Sequence, residues 1–419
     1  MEHIKREINA GTLDPSFGDN GVVDLVSEVS WSIPHSILAL SNGKLIYANG
    51  DRREWLRTLQ LRRVNTNGFF ESSFGVNGSV ILPIGFNTGA RFGLFPYSDD
   101  KFLVKSTYID FGQQDMVFVR LDFNGCIDTT FGSDGFLRIH PYDLIYPRAT
   151  KPKSEQKINQ LTPAVDYIGG SVCALPDGKM LIAHSGIFDG RGFNGFIFRL
   201  MPDGSVDKTF NGTGFIIVQL DLADPEDNEA ISIALQKDGK FLLCGSFVVG
   251  ETTSGFIVRY NDNGEVDRSF NNGQPVIIAS PDFGMISATT LSVREQDGAI
   301  VVVGTAYDNW SVIPTTKTPW MAVLNTNGSF NLVFNNGRPL FAGVVPGKSL
   351  WRECAWQEDG NKILVAGSVV ARYLSNGQLD LSFNGTGWNS QGDSYGEMVI
   401  TNDKKLALIG QNSLVRYLT

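Results

Sequence analysis

Short apolar runs, each closed by Gly, Asn or Asp, recur along the whole chain and predict β-strands rich in aliphatic and β-branched residues. They are clearest between residues 215 and 260. There Phe215–Leu220 (FIIVQL) is followed by Ala230–Gln236 (AISIALQ), a Lys237–Lys240 (KDGK) turn, Phe241–Ser246 (FLLCGS) and Gly255–Tyr260 (GFIVRY). The central turn predicts a hairpin, because Asn-Gly and Asp-Gly pairs tolerate the positive φ of tight two-residue connections. Its counterparts are Asn42-Gly43, Asp99-Asp100, Asp177-Gly178, Asp238-Gly239, Asp297-Gly298, Asp359-Gly360 and Asn402-Asp403.

A second signal fixes the period. Six residues after a Gly stands a Phe, at Phe17, Phe74, Phe131, Phe210, Phe270, Phe334 and Phe383, with intervals of 57, 57, 79, 60, 64 and 49 residues. Self-similarity at such a period marks a repeat architecture. Four strand signals per unit and seven units predict an all-β fold, a single seven-bladed β-propeller of four-stranded antiparallel blades spanning residues 1–419. The chain stops at Leu414–Thr419 (LVRYLT), the strand that elsewhere precedes the Gly turn, and starts with that turn. Residues 9–26 are therefore expected to complete the C-terminal blade, so that the N-terminal strand closes the ring and removes an open edge.

The pattern N/D-G-x-x-D-x-S/T-F-G/N-x-x-G followed by an x-D-G-K hairpin resembles the delta-60 repeat of bacterial β-propeller proteins of unknown function, over nearly the whole chain. The resemblance implies the fold and no particular activity. Glu71 and Asn331 depart from it at the repeat Asp.

Eight residues before each repeat acid stands an Arg: Arg63 with Glu71, Arg120 with Asp128, Arg199 with Asp207, Arg259 with Asp267 and Arg372 with Asp380, while Arg416 takes the same relation to Asp14 across the chain ends. Where the Arg is lost, as Val323, the acid becomes Asn331. Joint loss is the behaviour of a contacting pair whose partner would be penalised alone. The acids are accordingly expected to cap turns and meet the Arg fork rather than bind calcium, which needs several oxygen ligands within a dozen residues.

Composition narrows the function classes. Charged residues are 19% of the chain, Gly is 46 of 419, and the net charge is −9. That acidity argues against a nucleic-acid partner. Cys126, Cys173, Cys244 and Cys354 are scattered, with no Cys/His spacing for a metal and no cofactor motif. No signal peptide and no membrane span is visible, so the expected location is cytoplasmic or exported without a cleaved signal, as a monomer.

The hairpin face is uniform between units, whereas the opposite face carries the large length differences and is the candidate binding face. Its longest insertion is the loop at 140–168, and 305–320 is also long. Aromatic residues gather in these loops, among them Trp31, Trp310, Trp320, Trp351 and Trp388 with Tyr108, Phe111, Phe188 and Tyr307. Exposed rings there could anchor a glycan or a protein. Near the starts of the innermost strands lie His35, Arg91, Asp166, Glu229, Arg352, Glu353, Asp393 and Glu397, expected at the mouth of the central channel.

The residues selected for ligand binding are His35, Arg91, Glu229 and Arg352, with Trp31, Trp351 and Trp310 as a rim; no catalytic residue is assigned. The expected function is non-enzymatic, a binding or interaction propeller that engages a protein or glycan through the variable loop face. The alternative is an enzyme, a lyase or hydrolase of a saccharide or small polar compound, acting at the channel mouth.

Overall fold

The computed structural model describes residues 9–25, 32–51, 58–82, 84, 92–110, 113–145, 171–187, 193–220, 222, 227–308, 317–344, 350–357, 361–390 and 397–419. They form an all-β propeller. In each unit the hairpin turn joins the two innermost strands and the third and fourth follow outward, as in the first sheet, whose order is Ser32–Ala39, Leu45–Asp51, Leu59–Val64 and Ser79–Leu82. The inner strands that follow are Phe92–Pro96, Val172–Ala174, Asp227–Leu235, Met285–Val293, Trp351–Gln357 and Glu397–Ile400. Successive inner strands pack against one another around the central channel.

The repeat count predicts seven separate blades, and the sheets correct it. The described residues form five four-stranded blades and one eight-stranded sheet spanning residues 227–341. Two sequence units are fused in that sheet by a single parallel bridge, Thr253 opposite Met285, with Thr253 N donating to Gly284 O at 3.0 Å. The cause is the short connection, residues 279–284, which draws the incoming inner strand against the preceding third strand.

Ring closure by the N-terminal strand is corrected as well. Val22–Asp24 is the outer strand of the last sheet, with Val22 opposite Val415, but it is not shared with the first sheet. The joint between those two sheets is made by side chains and turns instead. Ser36 Oγ and Ile37 N both donate to Glu397 Oε2, at 2.6 and 3.0 Å, and Gly18 N donates to Asn67 O at 2.7 Å.

Each repeat Phe is wedged between units: Phe17, Phe74, Phe131, Phe210, Phe270, Phe334 and Phe383 are all buried. The Gly that precedes it by six residues serves the neighbouring Phe. Gly264 has φ +94°, and a Cβ there would meet the Phe210 ring at 3.0 Å, so both backbone and space demand glycine. Turns of adjacent units are tied by backbone hydrogen bonds such as Gly75 N to Asn124 O, Asn271 N to Asn327 O and Asn384 N to Ala10 O.

Candidate functional site

The repeat charges are engaged. Arg259 Nε donates to Asp267 Oδ2 at 2.7 Å, Nη2 to Ser269 Oγ at 3.1 Å and Nη1 to Thr326 O of the next unit at 2.5 Å, while its guanidinium lies 4.8 Å above the Phe270 ring. Lys240, from the hairpin turn, adds a second cation at 2.9 Å from Asp267 Oδ2. Lys44, Lys101, Lys179, Lys362 and Lys405 do the same for Glu71, Asp128, Asp207, Asp380 and Asp14. Burial alone would raise the pKa of these acids, but hydrogen bonds from the flanking Ser or Thr and from the Lys, with the Arg charge, outweigh it and hold Asp14 and Asp380 at about 2. A carboxylate so surrounded has no free valence for a ligand. The set is structural.

The Lys was legible in the hairpin signature yet its partner was not. In the unit that has Val323 and Asn331, its place is taken by Ala299, so three groups are lost together. There Asn331 Oδ1 accepts from Val333 N at 3.0 Å and Nδ2 donates to Asn325 Oδ1 at 2.8 Å, which keeps the turn without charge.

The channel mouth is built differently. Four inner strands carry a register shift at one level, between Pro34 and Ser36, Ala230 and Ser232, Ala288 and Thr290, and Trp351 and Glu353. The extra residue in each is a β-bulge, which re-aims side chains at a rim. His35 and Arg352 are two of these bulge residues, Ile231 and Thr289 the others. The side chain of His35 lies outside the described residues, as do Arg91, Trp31 and Trp310 entirely. Asp166, Asp393, Phe111 and Phe188 are outside them too, and so is the side chain of Tyr108.

Three polar residues at this level act as latches, whereas Ser232 and Thr290, each one residue past a bulge, do not. Ser36 Oγ accepts Leu94 N at 2.9 Å, and Ser171 Oγ, opposite Ala183 in its own sheet, accepts Ile233 N at 2.7 Å. Glu397 occupies the same level in the last sheet, opposite Ile409, and latches onto Ile37. In each case a polar side chain satisfies a backbone N–H of the next inner strand.

Glu353, opposite Ala366, is the equivalent residue one sheet earlier, and it makes no such bond. Its carboxyl and the Arg352 guanidinium have no hydrogen-bond or ion-pair partner among the described residues, and both side chains are partly exposed. Burial, then the nearby Glu397 charge, pushes Glu353 up to about 8 against the opposing pull of Arg352. Burial likewise lifts Glu397 to about 7 although Ser36 and Ile37 donate to it. Glu229, two residues before a bulge, is pushed to about 7 by burial and by Asp227.

The aromatic rim does not assemble as expected from Trp351. Its ring is 1% exposed and sits edge-on to Tyr373 in the core. Trp320 is equally buried, its Nε1 donating to Ser287 O at 3.1 Å, and Trp388 is half-buried. Of the 140–168 insertion, Pro141–Ile145 is a short α-helix and the rest from 146 lies outside the described residues.

Sequence reasoning missed two buried groups on second strands at the level of the latches. Lys105, on the second strand of its sheet, donates to Ala183 O at 3.3 Å, and burial lowers its pKa to about 7. His184 lies next to Ala183 and is held neutral, at about 3, by burial and then by the Lys105 charge. A groove of 650 Å³ on the outer flank, lined by Tyr260, Val266, Asp267 and Arg268, is far from the inner strands and its acid is already paired with Arg259 and Lys240. Among the described residues no group of His, Cys, Asp and Glu could hold a metal, and no helix is long and apolar enough to cross a membrane.

The family described as "Domain of unknown function (DUF5122) beta-propeller" matches residues 175–210, 236–270 and 358–383, each an x-D-G-K hairpin or a Gly-to-Phe turn or both. The chain is thus similar to a β-propeller family of unknown function. No curated protein matches it significantly. Among solved structures it is similar to the polysaccharide lyase Uly1 (10% identity, 92% of this chain and 89% of that one, TM-score 0.46). It is also similar to the WD40 β-propeller domain of Doa1 (11%, 92% and 93%, 0.45) and to Chaetomium thermophilum Sqt1 bound to the N-terminus of the ribosomal protein L10 (12%, 93% and 97%, 0.46). Similarities this low carry no functional inference.

Proposed function

We propose that the protein is a binding propeller that takes a glycan at the mouth of its central channel, on the face where the variable loops emerge. One observation carries this reading: Arg352 and Glu353 have no hydrogen-bond or ion-pair partner among the described residues and are partly exposed at the start of an inner strand, whereas every repeat charge described is held by partners. Charged groups left without partners in an otherwise satisfied scaffold are available to a ligand. A guanidinium and a carboxyl on neighbouring residues suit a hydroxyl-rich molecule, because each makes paired hydrogen bonds with neighbouring hydroxyls. Glu229 and the bulge position of His35 belong to the same ring of strand starts and extend the surface.

A second reading is catalysis of a saccharide at the same place. It is favoured by Glu353 and Glu397, on adjacent strands, both with pKa raised into the range where a carboxyl can give and take a proton near neutrality. The test is a glycan array followed by calorimetry on the purified protein and on Arg352→Ala. Saturable binding that Arg352→Ala weakens at least tenfold supports the site. Chain-length loss of the bound glycan on incubation moves the assignment to the enzyme. Capture of no glycan, or binding indifferent to Arg352, overturns both.

A further inference from the structure

We infer that the channel-mouth ligand carries a carboxylate, held by the Arg352 guanidinium and by a hydrogen bond donated from the protonated carboxyl of Glu353, so that binding is coupled to proton uptake; this rests on the glycan reading above and narrows it to acidic sugars.

The geometry begins with the latch. Glu353 and Glu397 occupy the same level of two neighbouring inner strands, one opposite Ala366 and the other opposite Ile409. Glu397 is committed, since its Oε2 takes both Ser36 Oγ and Ile37 N. Glu353 lacks the corresponding bond, so its carboxyl is the free member of the pair. Two carboxyls at one level of neighbouring inner strands do not both ionise easily, because each negative charge disfavours the other. The committed one receives donors that favour its charged form, which leaves the proton on the free one. Burial together with the charge of Glu397 pushes Glu353 upward in agreement with this order.

A protonated carboxyl is a donor, and it stands next to a permanent cation on the adjacent bulge residue. Donor and cation side by side form a receptor for an anion, and a carboxylate can take one oxygen to each. A neutral sugar gains nothing from the proton. The other groups around Glu353 do not compete: the strands Met285–Val293 and Ile300–Tyr307 contribute no charged residue, Lys362 on the paired strand is engaged with Asp380, and the Cys354 thiol below is pushed well up by burial. Glu397 is the one further charge facing the site among the described residues. When Glu353 and Glu397 are both ionised, the local charge with Arg352 is net negative and repels an anion. When Glu353 keeps its proton, it is balanced or positive.

The experiment is calorimetric titration of the full chain with glucuronate and galacturonate, with glucose and galactose as neutral counterparts, at pH 6 and pH 9. The expected result is uronate binding at pH 6 that weakens at least tenfold by pH 9, with proton uptake visible as a buffer-dependent enthalpy at pH 9 and absent at pH 6. Glu353→Gln, which keeps a donor at that position, retains uronate binding and removes most of the pH dependence, while Arg352→Ala loses it at both pH values. Neutral sugars bound as tightly as uronates, or uronate binding that is flat with pH in the unmodified chain, overturn the acidic-ligand inference and leave the glycan site standing. No binding of any sugar overturns both. Because Glu353→Gln is nearly isosteric, a parent melting profile establishes that any loss is not misfolding, and loss of uronate binding in the folded variant overturns the donor role.

Discussion

Carboxyl groups in the two halves of each blade are driven in opposite directions. In the outer half, Asp14, Asp207 and Asp380 sit between an Arg, a Lys and two donors of a Ser or Thr and are held at about 2. In the inner half, Glu229, Glu353 and Glu397 are pushed to about 7 or 8 by burial without a cation in contact. The difference is one of repetition. A charge that recurs in every unit is accompanied by partners that recur with it, and when one member goes, as at Val323, Asn331 and Ala299, all go. The inner charges belong to single units, have no repeated partners and keep their desolvation penalty. Groups maintained at such a cost to stability are where function is to be sought.

The contrast can be broken most strongly at its satisfied end. Arg259→Ala leaves Asp267 buried with only Lys240 and the Ser269 donors, and removes the bond to Thr326 O and the stack on Phe270; a loss of about 3 kcal/mol is expected in urea denaturation. The triple change Arg259→Val, Asp267→Asn, Lys240→Ala copies the uncharged unit and should recover most of that loss. If the triple variant is less stable than Arg259→Ala, the three groups do not act as a set.

Next in size is the buried amine of the inner half. Lys105 has a folded pKa near 7 against 10.5 for the free side chain, so the folded form prefers it neutral. Its contribution to stability is greatest above pH 10.5, is lost as pH falls toward 7, and changes no further below that. Lys105→Met should therefore stabilise by about 2 kcal/mol at pH 7, with a gain that vanishes near pH 10. Thermal melts across that range decide it; a constant gain would mean that packing, not charge, is responsible.

Glu353 has the opposite sign. Its pKa is raised from 4.5 to about 8, so the stability tied to its protonated form is complete below pH 4.5 and is lost as pH rises through 8. Glu353→Gln should match the parent near pH 4.5 and exceed it by about 1 kcal/mol at pH 9. A parent with stability flat over this interval would show that Glu353 is an ordinary solvated carboxyl. The smallest effect belongs to the half-exposed Lys240, where Lys240→Ala should cost about 0.5 kcal/mol and shrink in high salt, in contrast to Arg259.

Legibility in the sequence follows the same division. The Arg and Asp eight residues apart were readable because both recur at constant spacing, and their contact is observed in the six units that keep them. Lys240 recurs as well, and its spacing to the acid is 27 residues in three units and 28 in a fourth but 18 in the unit of Lys362, a longer and less constant interval than that of the Arg. Trp351 was read as a rim residue because it neighbours Arg352, yet the bulge between Trp351 and Glu353 breaks the two-residue alternation and sends the ring into the core. The sheet count failed for a related reason. A single bridge between Thr253 and Met285 depends on how far a six-residue connection lets two strands diverge, which no repeat pattern encodes. The latch residues Ser36, Ser171 and Glu397 differ in type, so only their level in the sheets reveals them as one device.

Arg416 grips Asp14 across 402 residues of sequence, and that separation governs how the molecule can be made. The turn containing Asp14 is synthesised well before its partner strand, Ser413–Tyr417. Until that strand is made the outer strand Val22–Asp24 has no strand to pair with, and the Asn67 carbonyl that Gly18 reaches belongs to a first sheet whose other flank is still bare. The nascent chain must therefore carry an unpaired strand and an ungripped Asp until Ser413–Tyr417 has emerged, which makes that pairing slow and exposes it to chaperones and to misplaced pairing with other chains.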